Sequence, residues 1–264
     1  MLTVAALQFH PTLLDCAANR ARIESFLHSC DAQLAVLPEL ATSGYLFQTR
    51  EEVDACAEGT GGETATLLRD IACDRRMAIV AGFVERAGAR FYNAALTVLP
   101  DGAMHVYRKT HLFGREPEFF AEGDLGFVPV VWSEAVLGVM ICYDWRFPEV
   151  PRTLALRGAE IICHPSDLVA APELWQPVMR TRSFESKVFT ITANRIGTER
   201  RGGEELIFHG SSQITAQNGA VLAETDRVFE GWITAQVDPA RTRDKSFSPL
   251  NDIFADRRPQ FYGC

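Results

Sequence analysis

Short apolar runs typical of β-strands alternate with helical stretches along this chain of 264 residues, and this alternation restricts the possible folds more than any other feature. Residues 3–9, 34–38 and 77–86 form such runs, whereas residues 15–30 and 63–75 place apolar side chains at helical spacing. The mixture predicts an α/β protein in which mixed sheets are covered by helices. Periodicity alone leaves open whether the strands form one sheet or two.

The second half of the chain continues this alternation. It contains further strand-like and helical stretches, and the Asn-Gly pair at residues 218–219 predicts a hairpin turn between two short strands. Residues 195–201 are interpreted as a solvated loop, because Glu199 interrupts their basic character. Residues 246–264 form a polar and aromatic tail without a sheet pattern. Since no linker or low-complexity stretch is visible, the sequence predicts a single domain over residues 1–264.

The formal net charge of −8 limits the partners that the protein can have. Binding to nucleic acid needs clustered Lys and Arg side chains that neutralise phosphates, so nucleic acid is disfavoured as the main partner. The acidic balance disfavours a membrane surface in the same way. No window approaches the roughly 18 consecutive apolar residues that a membrane span requires. We therefore expect neither nucleic acid nor a membrane as a partner.

The seven cysteines are odd in number and include no C-x-x-C pair. This pattern argues against a disulfide framework and against a structural zinc site. The N-terminal residues also lack the basic region and the long apolar run of a signal peptide. Both features indicate a reducing compartment, and we expect a cytoplasmic location.

Three of the apolar runs end in an ionisable residue. Residues 34–38 lead into Glu39, "MHVYRK" ends at Lys109, and "GVMIC" ends at Cys142. In α/β folds, the loops at the carboxyl ends of strands bring side chains from several elements together. One such residue would usually be structural, but three complementary types in equivalent positions predict a shared site.

These three residue types can carry out acyl transfer together. The thiolate of Cys142 would attack an electrophilic carbon and form a thioester-like intermediate. The carboxylate of Glu39 would take the thiol proton in a dry site and later return it to a departing amine. The ammonium group of Lys109 and the backbone N–H of Tyr143 would stabilise the developing oxyanion.

Structural roles are also open for the residues of these motifs. Lys109 alone would be interpreted as a solvated lysine at a strand end. Glu39 could be the first residue of a helix, where the helix dipole favours a carboxylate. Asp144 and Arg146 are interpreted as a structural charge pair around the turn that follows Cys142.

The histidines of the chain offer two alternative kinds of site. His164 and Asp167 are possible metal ligands, but two ligands without a third nearby make a poor zinc site, and no metal is expected. A dyad of Cys142 with His164 or His209 would work in the manner of a thiol protease. The sequence contains no recognisable protease motif, which makes this dyad the weaker hypothesis.

The stretches "PELATSGY", "YRKTHLFG" and "GVMICYDWRFPE" resemble the Glu, Lys and Cys motifs of the nitrilase superfamily, the carbon–nitrogen hydrolases, and they occur in the family's order. Segments similar to the family extend over nearly the whole chain. The resemblance implies a four-layer αββα sandwich, in which two mixed β-sheets are flanked by helices. It also implies homodimers or higher homo-oligomers, in which the tail from Ser246 would clamp a neighbouring subunit or wrap its own.

The family also has a second glutamate between the Lys and Cys motifs. The segment "GREPEFFAEGD" offers Glu116, Glu118 and Glu122, and the family's spacing selects Glu116, with Glu118 as the alternative. The resemblance implies that Glu116 holds Lys109 by a charge-assisted hydrogen bond. Glu122 stands where the family commonly has proline, so the shape of this loop is not implied.

The resemblance implies an amidase-like hydrolase that cleaves a non-peptide C–N bond of a small amide and releases ammonia, without a metal or organic cofactor. N-carbamoyl compounds and nitriles are alternative substrates for the same three residues. A catalytically inactive binding or scaffold protein of this fold is the alternative from another class, and it would predict the loss of at least one motif. Aromatic and histidine residues near the motifs are expected to line the substrate pocket: Tyr45, Phe120, Trp145 and His164.

Overall fold

The computed structural model describes residues 1–262, so Gly263 and Cys264 at the end of the predicted tail lie outside the described residues. The α-helices of this part of the chain are α1 Cys16–His28, α2 Arg50–Cys56, α3 Glu63–Arg75, α4 Glu149–Leu156 and α5 Pro172–Ser186. The β-strands are β1 Leu2–Gln8, β2 Leu34–Val36, β3 Ala78–Ala87, β4 Arg90–Val98, β5 Met104–Arg108, β6 Val130–Val131, β7 Val136–Val139, β8 Ile161–Ser166, β9 Phe189–Asn194, β10 Ile196–Arg201, β11 Glu204–His209, β12 Gln213–Thr215, β13 Val221–Glu224, β14 Gly231–Val237, β15 Ser246–Ser248 and β16 Asn251–Asp252.

Two mixed sheets of six strands each form the centre of the fold. The first sheet has the order β14-β1-β2-β3-β4-β5, and the second has the order β13-β12-β9-β8-β7-β6. In the first sheet β1, β2 and β3 are parallel, and in the second β7, β8 and β9 are parallel. The strands β14, β4, β6 and β12 pair antiparallel to these, and β5 and β13 pair antiparallel with β4 and β12. The periodicity left the number of sheets open, and the structure has two large ones.

The two sheets pack face to face through apolar side chains. Val4 and Val36 of the first sheet belong to the same buried cluster as Val139, Ile161 and Ile191 of the second. Removing a Val, Ile or Leu side chain from water contributes roughly 1.5–3 kcal/mol. This shared core fixes the distance between the sheets and hence between the strand ends that carry the candidate site.

Helices cover the outer face of each sheet. Ile23 and Leu27 of α1 and Leu68 and Ile71 of α3 pack on the first sheet, while α4 and α5 pack on the second. The predicted αββα sandwich is therefore confirmed. The described helices include none that is both long enough and apolar enough to cross a membrane.

The segment after β9 differs from the sequence prediction. Residues 195–201 were expected to form a solvated loop, but β10 pairs with β11 in an antiparallel hairpin. Arg195 and Glu199 are buried, whereas most of the other residues of the hairpin are partly or fully exposed. Charged side chains on both faces conceal the alternation that identifies a strand. The tail likewise contains a short antiparallel pair, β15 and β16, where no sheet pattern was expected.

Gly82 in the middle of β3 allows the backbone around Glu39 to lie against the sheet. Its N–H donates to the Pro38 carbonyl over 3.0 Å, and its own carbonyl accepts from the Ala41 N–H over 3.0 Å. A Cβ atom at this position would lie 2.5 Å from Glu39 Cα. Any larger residue must therefore displace the backbone that carries Glu39.

We expect Gly82→Ala to lower the free energy of unfolding by about 2 kcal/mol, because overpacking a core forces the backbone to shift. Urea denaturation followed by circular dichroism measures this change. Gly61→Ala is the matched control, since no atom lies within 4 Å of its added Cβ. Equal stability of the two variants would contradict the role assigned to Gly82.

Candidate active site

The ammonium group of Lys109 contacts two carboxylates in the interior of the protein. Lys109 Nζ lies 2.7 Å from Glu39 Oε1 and 2.6 Å from Glu116 Oε1. The side chains of Glu39 and Lys109 are fully inaccessible to solvent, and that of Glu116 is 3% exposed. The structure thus brings together two of the three residues predicted at strand ends and selects Glu116 as the third member of this group.

Glu39 lies three residues after the end of β2, and hydrogen bonds from both sheets orient its carboxylate. Asn93 Nδ2 on β4 donates to Glu39 Oε1 over 2.7 Å. The backbone N–H of Asp167, just after β8 of the second sheet, donates to Glu39 Oε2 over 2.9 Å. Glu39 therefore connects the two sheets at the edge where their parallel strands end.

Glu116 rather than Glu118 faces Lys109. Besides the lysine, Glu116 accepts from the Tyr45 hydroxyl over 2.8 Å and from the Phe113 backbone N–H over 3.1 Å. Glu118 is exposed and pairs with Arg115 at the surface. The family's spacing selected Glu116, and the geometry agrees with that selection.

The mutual charges of Lys109, Glu39 and Glu116 shift the pKa values of Lys109 and Glu116. Burial alone would lower the pKa of Lys109, but the carboxylates of Glu116 and Glu39 outweigh it and raise that pKa well above its usual value. Burial raises the pKa of Glu116, and the charge of Glu39 acts in the same direction while Lys109 opposes both. Lys109 is therefore a permanent cation held between acidic side chains.

Cys142 follows β7 and begins a short 3-10 turn with a positive φ of 39°. The carboxylate of Asp144 fixes this turn by accepting from the Ile141 N–H over 2.9 Å. Burial and the nearby charge of Glu39 raise the pKa of the Cys142 thiol well above its usual value, although Lys109 acts in the opposite direction. The resting thiol is thus protonated and needs a base when it reacts.

His164 lies behind Cys142 rather than in the pocket wall where the sequence placed it. Its Nε2 is 3.0 Å from the Cys142 carbonyl oxygen, and its Nδ1 is 3.1 Å from Thr192 Oγ1. Burial lowers the pKa of His164 to about 4, so the ring is neutral at neutral pH. A carbonyl only accepts, so Nε2 carries the proton and supports the backbone of Cys142.

The other proposed uses of the histidines gain no support from the geometry. The ring of His164 bonds to the backbone of Cys142 and not to its thiol, unlike the base of a thiol protease. Within residues 1–262, no group of three or more His, Cys, Asp or Glu side chains could hold a metal ion.

A cavity of about 380 Å³ opens beside Cys142. Its wall contains Tyr143, Trp145, Arg146 and Asp167 together with apolar residues from two loops and from the start of α5: Phe113, Leu168, Val169, Ala170 and Leu174. Trp145 is 4% exposed, so it both packs in the core and lines the cavity. Tyr45 and Phe120 instead line a neighbouring cavity of about 130 Å³ that also includes Glu116 and Phe113.

The predicted charge pair between Asp144 and Arg146 is wrong. Asp144 is fully buried and bonds with His111 Nδ1 and the Tyr107 hydroxyl, both over 2.7 Å. Arg146 is exposed, and its guanidinium lies over the Trp145 ring at 5.0 Å. Two residues apart on a tight turn, the side chains point to opposite sides, which sequence proximity could not indicate.

A buried charge cluster beneath the site was missed in the sequence. Arg195 bonds to Glu199 over 2.6 Å and lies 3.8 Å from Asp167. Glu199 also accepts from the backbone N–H groups of Tyr45 and Leu46, the latter over 2.8 Å. The cluster therefore holds the loop whose Tyr45 hydroxyl contacts Glu116. The only sequence signal for this cluster is the spacing of four residues between Arg195 and Glu199, and a surface ion pair can have the same spacing.

The chain is similar to known proteins over nearly its whole length. A family model described as "Carbon-nitrogen hydrolase" matches residues 3–246. The chain is 44% identical over 268 residues to a protein of Pyrococcus abyssi named "Nitrilase", and the match covers 99% of each. Its fold is similar to a carbon-nitrogen hydrolase from Helicobacter pylori G27, with a TM-score of 0.86, 27% identity, and coverage of 99% and 97%. It is also similar to a mutant of the amidase from Nesterenkonia sp. AN1 that shows Michael addition of acrylamide at the active-site cysteine, with a TM-score of 0.80, 27% identity and 98% coverage of each chain.

We expect Glu199→Gln to lower the free energy of unfolding by about 3 kcal/mol, because it leaves the buried charge of Arg195 without its closest partner. Urea denaturation provides the measurement. Glu205→Gln is the control, since it removes a carboxylate from an exposed ion pair with Arg200 on the same hairpin and should leave stability unchanged. Similar losses in both variants would show that the Glu199 cluster is no more than a surface pair.

Proposed function

Because this chain belongs to the carbon–nitrogen hydrolase family of the nitrilase superfamily, we propose that it hydrolyses a small amide to a carboxylic acid and ammonia. The observation that carries the proposal is the position of Lys109, shared by Glu39 and Glu116 at the floor of the site. The charges of Glu39 and Lys109 both act on the buried Cys142 thiol, and this supports the proposal because amide cleavage by a cysteine requires a base and a cation near the thiol.

In the first half of the proposed reaction, the Cys142 thiol attacks the amide carbon while Glu39 accepts its proton. An ammonium group has three N–H donors, and Lys109 uses two of them on Glu39 and Glu116. The third is available for the oxyanion, together with the backbone N–H of Tyr143. Glu39 then returns the proton to the nitrogen, the C–N bond breaks, and ammonia leaves a thioester on Cys142.

In the second half, water cleaves the thioester. Glu39 takes a proton from the water, and the resulting hydroxide attacks the acyl carbon. The oxyanion forms again beside Lys109, and collapse of the intermediate expels the Cys142 thiolate, which regains its proton from Glu39. The products are a free carboxylic acid and the starting thiol, so the steps use only residues of this chain and water.

The cavity supports a small substrate that is apolar near the reacting carbon and negatively charged at its other end. The volume of about 380 Å³ suits a small molecule rather than a polymer. Among the residues that line it, Arg146 is the single cationic side chain, and its described contact is with the face of Trp145. Arg146 therefore has donors free for a substrate carboxylate.

Nitrile hydrolysis is the second candidate, and the name of the Pyrococcus abyssi relative favours it. The same thiolate would attack the nitrile carbon, and two molecules of water would lead to the same acid and ammonia. Hydrolysis of an N-carbamoyl compound would instead give ammonia, carbon dioxide and an amine. The products thus distinguish the carbamoyl reaction, and the substrate panel distinguishes amide from nitrile.

We also propose that the protein is a cytoplasmic homodimer or higher homo-oligomer. The tail supports a subunit contact, because the side chains of Phe247 and Leu250 are 74% and 91% exposed in the single chain. Apolar side chains that project together into solvent are typical of surfaces that another chain covers.

We expect the wild-type protein to release ammonia from small amides and Cys142→Ala to release none, because no other group of the site can form the acyl intermediate. A coupled assay for ammonia over a panel of ω-amides, nitriles and N-carbamoyl amino acids provides the measurement. Circular dichroism checks that the variant is folded. Residual turnover in Cys142→Ala would contradict the thioester mechanism.

If Arg146 binds the substrate carboxylate, removing its charge weakens that contact. We therefore expect Arg146→Met to reduce kcat/KM about tenfold for amides that carry a distal carboxylate. Neutral amides of similar length should react equally well with both proteins. The methionine keeps an unbranched apolar side chain while removing the guanidinium that lies over the Trp145 ring. A uniform loss over charged and neutral amides would show that Arg146 shapes the cavity without recognising the carboxylate.

A further inference from the structure

Two cysteines outside the active site pack in the same apolar cluster. Cys16 is the first residue of α1, and Cys56 is the last residue of α2. Both side chains pack in the apolar cluster that contains Leu40 and Phe47, and each thiol shifts the pKa of the other. We propose that Cys16 and Cys56 form a redox-sensitive pair that closes to a disulfide when a peroxide oxidises Cys16.

An ion pair one turn further along holds the two segments together. Arg20 lies four residues after Cys16 on the same face of α1, and Glu58 lies two residues after Cys56. Arg20 Nη1 is 3.1 Å from Glu58 Oε1, and both side chains are less than 20% exposed. The relative position of the two thiols is therefore fixed by a second contact that is independent of the sulfur atoms.

The two thiols differ in pKa and in exposure, as expected if Cys16 reacts with the oxidant and Cys56 then forms the disulfide. A hydrogen bond with Cys56 and the positive charge of Arg20 lower the pKa of Cys16 despite its partial burial. Its position in the first turn of a helix favours the thiolate further. The hydrogen bond with Cys16 and burial raise the pKa of Cys56. Cys16 is also half-buried and open to a small oxidant, whereas Cys56 is 5% exposed.

The chemistry balances with hydrogen peroxide as the oxidant. The Cys16 thiolate attacks one peroxide oxygen, the O–O bond breaks, and hydroxide leaves a sulfenic acid on Cys16. The Cys56 thiol then attacks this sulfur, and water departs as the S–S bond forms. Two thiols lose two electrons in total, and the peroxide is reduced to two molecules of water. A thiol reductant reverses the change by exchange.

The disulfide would close a loop over residues 16–56, which includes Glu39 and Tyr45 of the active site. Closing a loop of this length restricts the unfolded chain and should raise the Tm by roughly 5–10 °C. Oxidation would thus stabilise the part of the chain that carries the catalytic glutamate.

Peptide mapping tests the proposal directly. The reduced protein is treated with hydrogen peroxide, free thiols are blocked with iodoacetamide, and the protein is digested with trypsin without reduction. Cleavage after Arg20, Arg50 and Arg69 places each thiol in a peptide with no other cysteine, residues 1–20 and residues 51–69. We expect mass spectrometry to find these two peptides linked and to find them separate after treatment with dithiothreitol.

Three variants complete the test. Cys16→Ser and Cys56→Ser should each abolish the linked peptides and the rise in Tm. Cys73→Ser, which removes an exposed thiol on α3, should leave both unchanged. The proposal is overturned if peroxide yields only unlinked oxidised thiols, or if Cys16 links to a cysteine other than Cys56. Because the readout is a peptide mass, it does not depend on the proposed amidase activity.

Discussion

The position of Lys109 between Glu39 and Glu116 is the interaction on which the rest of the active site depends. An isolated carboxylate buried away from water would be costly, and two carboxylates side by side would repel each other. One ammonium group within 2.7 Å of both compensates most of this cost. Neutral donors add one hydrogen bond to each oxygen of Glu39, from Asn93 to Oε1 and from the Asp167 backbone to Oε2. Removing one member would leave a buried charge unpaired, so the group is stable only when complete.

The residues of the candidate active site come from both sheets. Glu39 and Lys109 follow strands of the first sheet, whereas Cys142 and Asp167 follow strands of the second. The apolar core between the sheets fixes their separation, and the hydrogen bond from the Asp167 N–H to Glu39 joins their edges. The helices on the outer faces close the core but contribute none of these four residues. The geometry of the candidate active site thus depends on how the sheets pack.

Much of this arrangement could be predicted from the sequence, because local pattern determines it. The helix predicted over residues 63–75 is α3 with the same bounds, and the strand ends at Glu39 and Lys109 follow from short apolar runs. The choice of Glu116 rested on the family's spacing. Contacts between residues that are distant in the sequence could not be predicted from local pattern. The pairing of Arg195 with Glu199 and Asp167 depends on the β10–β11 hairpin, whose charged residues resemble a loop.

The rate of alkylation of Cys142 tests most directly the proposed activation of this thiol by Glu39 when an electrophile enters the site. Iodoacetamide, an amide of suitable size, would be added at neutral pH, and the modified cysteines would be followed by mass spectrometry over time. We expect Cys142 to react faster than every other thiol of the protein despite its burial, and we expect Glu39→Gln to slow it at least about tenfold. If Cys142 is alkylated no faster than the remaining cysteines, or if its rate is unchanged in Glu39→Gln, Glu39 does not activate Cys142.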